Sequence, residues 1–312
     1  MKQFIIYAPP YDENSGGSIA LHKLCHLLNK HGREAFIYPH LPTFEINVGN
    51  INDIDVLKTL MINIISASEN FMTNPNFTTP VIPPKAGDFA SEDMIVIYPE
   101  ITSGNPLKAK NIIRWLLHTP GFHTGNISFG NNELYFFHGD NNRNGFNHPF
   151  SKISNIMLDI LHIPTDLYSN KNNADRQGTA YCLRKNKNPS FIHNPQTSIC
   201  IDGKSHLEIS KIFDQCKTFI SYDPYTLYST LAVISGCESI VAPQNDKKIN
   251  DVYPDLNSMN GIAYGYEDLD RAQATTPLLF DRVSSIEANN EIKIVDFLRD
   301  VDNFFRIITD PT

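Results

Sequence analysis

The chain has 312 residues, of which 41% are hydrophobic and 19% charged, and carries a formal net charge of −8. That composition supplies two globular cores and argues against general disorder, while the acidic balance disfavours a nucleic-acid binder, which needs a broad basic face. Five dispersed cysteines without a CxxC pair make a disulfide framework or zinc site unexpected and suit a reducing compartment. The apolar run at residues 4–8 is too short for a signal-peptide core, and no later run approaches about 18 apolar residues. A cytoplasmic location is therefore expected.

Residues 4–8 (FIIYA) read as a first strand that ends at Pro9 and Pro10. A polar loop with adjacent glycines follows. From Ser18, a plausible N-cap, the spacing of Ile19, Leu21, Leu24, Leu27 and Leu28 predicts an amphipathic helix closed at Gly32. Residues 34–38 form the next strand, so the chain opens as a βαβ unit on a parallel sheet. Residues 56–65 suggest a helix within an otherwise irregular stretch. Further strands are predicted at 94–98, 112–117, 134–137 and 156–161. A polar run after Pro164 marks a domain linker. Beyond it come strands at 180–183 and 198–201, a helix at 207–216, a strand at 218–222, a helix at 226–235 and a strand at 239–242. The stripe Ile294, Phe297, Leu298, Val301, Phe304, Phe305 and Ile308 predicts a terminal helix from 287 to 308.

Three places suit chemistry. The loop Asn14-Ser15-Gly16-Gly17-Ser18 lies between the first strand and the first helix, and is either a plain tight turn or a backbone cradle for a phosphate or sugar hydroxyl. It matches neither GxGxxG nor a Walker loop. Arg184, Lys185 and Lys187 follow a strand end, as a solvated basic turn or as a grip on a diphosphate whose charge develops during reaction. Tyr222-Asp223-Pro224 precedes a helix start near Thr226. Asp223 there either caps the helix or accepts hydrogen bonds from a sugar or ribose. His118, at another strand end, fits a general base, a donor-sugar contact or a strand cap. Asp12 and Glu13 are alternative bases. His22 and His26 stand i,i+4 without a third metal ligand and suggest a partly exposed helix face. Trp115 is expected in the core.

The stretches RWLLHTPG (from Arg114), YCLRKNK (from Tyr181), FISYDPYT (from Phe219) and GCESIVAP (from Gly236) resemble bacterial and large-virus glycosyltransferases of the GT-B fold that build surface polysaccharides. The resemblance implies an α/β protein of two Rossmann-like domains facing across a cleft: residues 1–165 on the acceptor side, 166–290 on the donor side, and a terminal helix, 291–312, packing across the domains and returning to the first. It implies transfer of a hexosyl or deoxyhexosyl group from a nucleotide-diphosphate sugar to a glycan or lipid-linked saccharide. Donor binding would fall on Arg184, Lys185, Tyr222, Asp223 and Thr226, and on Gly16 and Gly17; catalysis would fall on His118 or Asp12. No metal or other cofactor is expected, because cations neutralise the diphosphate. Peripheral membrane association would come only through a lipid-linked acceptor. Many retaining members carry two glutamates eight positions apart, where this chain has Asp223 and Leu231, so stereochemistry is left open. A nucleotide-sugar epimerase or a non-catalytic sugar-nucleotide or glycan-binding protein would share the architecture.

Overall fold

A computed structural model of the chain describes residues 2–40, 71–82, 89–125, 127–139, 146–169, 176–184, 186, 188–244 and 247–306. The helix expected at 56–65 lies outside them. The chain divides into two compact units, Met1–His162 with Glu287–Thr312, and Ile163–Ile286. Each is an α/β layer structure on a wholly parallel sheet.

In unit 1, the strands β1 (Gln3–Ala8), β2 (Ala35–Pro39), β3 (Met94–Pro99), β4 (Asn111–Leu116), β5 (Leu134–Phe137) and β6 (Lys152–Met157) form one sheet ordered β2-β1-β3-β4-β5-β6. Central strands of such a sheet are covered on both faces and read as unbroken apolar runs. Alternate residues of β1 show why: Phe4 and Ile6 enter one core cluster, Ile5 the opposite one. Helix α1 (Gly16–Lys30) lays Leu21, Leu24, Leu27 and Leu28 on the first of these faces. Trp115 is fully buried, its Nε1 donating to the Leu158 carbonyl at 3.1 Å.

Two expectations for this unit need correction. Strand β6 spans Lys152–Met157 rather than 156–161. It is the edge strand, so its exposed face is polar and the apolar run that suggested a strand begins only at its end. His22 is not on a partly exposed face but fully buried, with Nε2 2.9 Å from the Pro9 carbonyl and its ring stacked on Phe71. His26 accepts a hydrogen bond from Thr78 N at 3.0 Å.

In unit 2, β7 (Thr179–Cys182), β8 (Ile199–Cys200), β9 (Thr218–Ser221), β10 (Glu238–Val241) and β11 (Ile262–Tyr264) form a sheet ordered β11-β10-β9-β7-β8. Helix α2 (His206–Gln215) begins in a capping box between Ser205 and Glu208. Helix α3 is shorter than expected, Tyr228–Ile234, and its N-cap Leu227 makes no side-chain cap bond. A single turn, α4 (Ile249–Val252), and β11 carry little sequence signal because of their length. The core gathers Phe213, Phe219, Leu231, Val241 and Leu279.

The last helix, α5 (Leu269–Phe304), starts well before the expected residue 287. Pro277 lies inside it, and proline removes one rung of the hydrogen-bond ladder. Thr275 and Thr276 use their hydroxyls on the carbonyls of Arg271 and Ala272, at 2.9 and 3.1 Å. That local polar bonding and the proline disguise the helix in the sequence. Its residues up to Ile286 belong to unit 2, and those from Glu287 onward to unit 1. No helix among the described residues is long and apolar enough to cross a membrane.

Candidate functional site

Counted in order of appearance within each unit, the first five strands of both sheets follow one pattern: second, first, third, fourth, fifth. The direction of winding reverses between β1 and β3 in unit 1, and between β7 and β9 in unit 2. Ligands of open α/β sheets bind beyond the carboxyl ends of the strands at such reversals, where the two flanking loops part. A cavity lies at that place in each unit.

The unit 1 cavity, about 390 Å³, is bounded by chain leaving β1 at Pro9, β3 at Glu100, β4 at Leu117 and His118, and by the start of α1. Helix α1 begins at Gly16, two residues before the expected start, with Ser15 rather than Ser18 as N-cap; the Ser15 side chain accepts from Ser18 N at 3.4 Å. Ser18 instead ties the loop down, donating to the Pro10 carbonyl at 3.0 Å and accepting from Asp12 N at 2.9 Å. Gly17 lines the cavity and Gly16 is exposed beside it. Neither glycine has a positive φ. A Cβ at Gly16 would meet nothing within 4 Å, and one at Gly17 only Leu117 Cδ1 at 3.7 Å. The fold alone does not demand glycine at either position.

Asp12 is exposed and does not line the cavity; its Oδ1 accepts from Asn14 N at 2.9 Å in a local turn. His118 does line it. Its Nδ1 accepts from Thr119 N at 2.8 Å, and its ring packs against Phe122 and His123, with centroids 4.3 and 4.9 Å away.

Glu100 is the residue that sequence reasoning missed. It is 7% exposed, it lines the cavity, and its Oε2 accepts from Leu117 N at 3.0 Å. Burial pushes its carboxyl above the usual carboxylate range, against the lowering effect of backbone N–H donors and of His123. The signal was its place, one residue past the strand 94–98 and its proline. Beneath it, the wholly buried Arg114 clamps the chain that leaves β3. Its guanidinium donates to the carbonyls of Thr102 and Gly104, both at 2.7 Å, and to both oxygens of Glu133 at 2.9 and 3.0 Å. Tyr135 donates to Glu133 at 2.9 Å.

The unit 2 cavity, about 700 Å³, opens beyond β7, β9 and β10. Tyr222 and Asp223 line it. Asp223, 6% exposed, accepts from Tyr225 N at 3.0 Å, while its own N–H donates to Ser221 Oγ at 3.1 Å. Asp223 thus shapes a turn five residues before α3 and does not cap that helix. The Tyr222 hydroxyl accepts from Ile192 N at 2.9 Å and lies 2.8 Å from His193 Nδ1. Asn186, Asn188, Ser190, Gln244 and Lys247 supply further polar groups to the lining. Sequence reasoning gave none of them a role, although Gln244 directly follows the strand-ending Pro243. The Tyr264 hydroxyl fixes that loop, accepting from Gln244 N at 2.9 Å and donating to the Lys247 carbonyl at 3.1 Å.

Arg184 and Thr226 are not among the residues that line this cavity. Arg184 has a φ of 50°, a left-handed conformation rare outside glycine. The Asp202 carboxylate holds it there by accepting from Leu183 N at 2.7 Å and Arg184 N at 3.3 Å. The Arg184 guanidinium lies over the Tyr228 ring, 5.4 Å from its centroid. Thr226 Oγ1 accepts from Tyr228 N at 3.3 Å. Lys185 lies outside the described residues. Leu231 is fully buried in the core. Among the described residues no group of three or more His, Cys, Asp or Glu side chains is placed to hold a metal ion. Comparison of the sequence with protein-family models and with curated proteins finds no match.

Proposed function

We propose that the chain is a glycosyltransferase of the GT-B kind, which moves a sugar from a nucleoside-diphosphate sugar to a glycan or lipid-linked hydroxyl. The observation that carries this reading is the pair of cavities at equivalent reversal points of two parallel sheets with the same strand order. In this reading the unit 2 cavity holds the donor. Its amide and hydroxyl groups from Asn186, Asn188, Ser190 and Gln244 suit a hydroxyl-rich, hydrogen-bonding ligand, and volumes of this order are usual for such sites. Asp223 accepts hydrogen bonds from ribose or sugar hydroxyls. Lys247, which lines the cavity, supplies the positive charge that a departing diphosphate needs, so no metal is required. With α3 only seven residues long and Asp223 not its cap, the charge rests on this side chain rather than on that helix start. The unit 1 cavity holds the acceptor.

The glycines support an open, ligand-facing role for the start of α1. They are the first two residues of α1, and a Cβ at either would meet at most one methyl carbon of Leu117, so packing gives no reason for two glycines there.

The test is thermal unfolding against UDP, GDP, dTDP and CDP, with and without magnesium. One of these nucleotides, at 100 times its dissociation constant, is expected to add about 2.7 kcal/mol without metal, and Asp223→Ala to lose most of that gain. Indifference of the folded protein to all four would remove the donor site. Binding without any turnover of donor would favour a non-catalytic sugar-nucleotide protein.

A further inference from the structure

Three acid–base side chains line the unit 1 cavity: Glu100 from the end of β3, and His118 and His123 from the chain after β4. His118 is already committed. With its Nδ1 accepting from Thr119 N, the neutral ring carries its proton on Nε2 and offers a donor rather than a proton acceptor. His123 is exposed, in the turn that follows β4. Asp12 lies outside the lining and is occupied in its own turn. Glu100 differs from all of these. It is almost wholly buried, one oxygen is anchored by Leu117 N, and the backbone that carries it is fixed two and four residues on by Arg114.

We propose that Glu100 is the catalytic proton acceptor of this protein, acting on a hydroxyl of an acceptor bound in the unit 1 cavity. The inference rests on the transferase reading and adds its base. In the step, the acceptor O–H bond breaks and its proton passes to the Glu100 carboxylate. The acceptor oxygen forms a bond to the anomeric carbon of the nucleoside-diphosphate sugar. The bond from that carbon to the phosphate oxygen breaks, and its electron pair leaves with the nucleoside diphosphate. Rigid placement serves this role, because a base must be held within hydrogen-bond reach of the proton it takes. The neutral His118, as a donor, is suited to orient a second hydroxyl of the same acceptor.

Glu100→Gln tests the assignment cleanly, since the amide oxygen still accepts from Leu117 N while proton acceptance is lost. The readout is nucleoside diphosphate released from UDP-glucose, GDP-mannose and dTDP-glucose, with water standing in for the acceptor, followed across pH. Nucleotide-induced thermal shifts are measured on the same samples. The wild-type rate is expected to fall in acid as Glu100 takes up a proton, at a pH above the usual carboxylate range. Glu100→Gln is expected to lower release by about 100-fold or more, to abolish that acid limb, and to keep the nucleotide shift. A variant that releases nucleotide as fast as wild type, or that keeps the acid limb, overturns the inference alone. A wild type without any nucleotide shift, or one that binds nucleotide and releases none, overturns the transferase reading, and the inference with it.

Discussion

Arg114 shows how one buried side chain serves both fold and site. Its guanidinium is wholly inside the protein, paired with Glu133 and flanked by the rings of Tyr98 and Phe129, with centroids 5.1 and 4.7 Å away. Such a pair gives little net stability over apolar replacements, but losing one partner strands the other charge in a dry interior. Arg114→Met alone is expected to destabilise unit 1 by about 3–5 kcal/mol, and Glu133→Leu in the same chain to recover only part of it, because the Thr102 and Gly104 carbonyls stay without their donor. Urea unfolding of the single and double variants reads both values. The motif that begins at Arg114 was legible in the sequence, but its role was not, because nothing along the chain joins residues 114 and 133. Glu100 was hidden for a related reason. An isolated carboxylate after a strand looks like ordinary surface until the burial of its neighbours is known. His22 shows the converse: its i,i+4 partner suggested exposure, whereas it sits against the chain leaving β1.

At the scale of elements, α5 is held to unit 1 by two kinds of contact. Lys23–Glu287, Arg33–Asp302 and Lys152–Asp300 pair at 3.0, 2.5 and 2.8 Å. The more open Lys152–Asp300 pair is worth about 0–1 kcal/mol, and for the largely buried Lys23 and Arg33 desolvation offsets much of the attraction, whereas a buried Ile, Phe, Leu or Val contributes about 1.5–3 kcal/mol. Ile294, Phe297, Leu298 and Val301 therefore carry the attachment. That stripe was legible because its period is set by the helix itself, while the front half of α5 was obscured by Pro277. Asn290 adds specificity. It is 1% exposed and grips Leu161 twice, its Oδ1 accepting from the N–H at 3.1 Å and its Nδ2 donating to the carbonyl at 2.8 Å. Asn290→Ala is expected to cost about 2 kcal/mol, measured by chemical denaturation. It should also raise the amide exchange of residue 161 before that of the β1–β3 ladder.

For the whole molecule, the strand pattern made parallel α/β sheets readable from alternating strands and helices, because βαβ connections are short-range and of one hand. The order of strands was not readable, since side-by-side placement depends on contacts distant in sequence. The division into units has a direct test. A chain ended at Ile286 keeps all of unit 2 but lacks Ile294, Phe297, Leu298 and Val301 from the unit 1 core. Calorimetry of that chain is expected to show a cooperative transition for unit 2 and loss of the one belonging to unit 1. A single transition at the full-length temperature would show that the stripe is dispensable.

The split of α5 also sets an order on the ribosome. Unit 2 is one unbroken stretch of chain, whereas unit 1 waits for its final helical turns. At about 5–20 residues per second, the first half of the protein spends many seconds outside the exit tunnel with one face of its sheet covered only in part, by α1. The domain begun first is thus completed last, and chaperone dependence during translation is expected to fall on the nascent first unit.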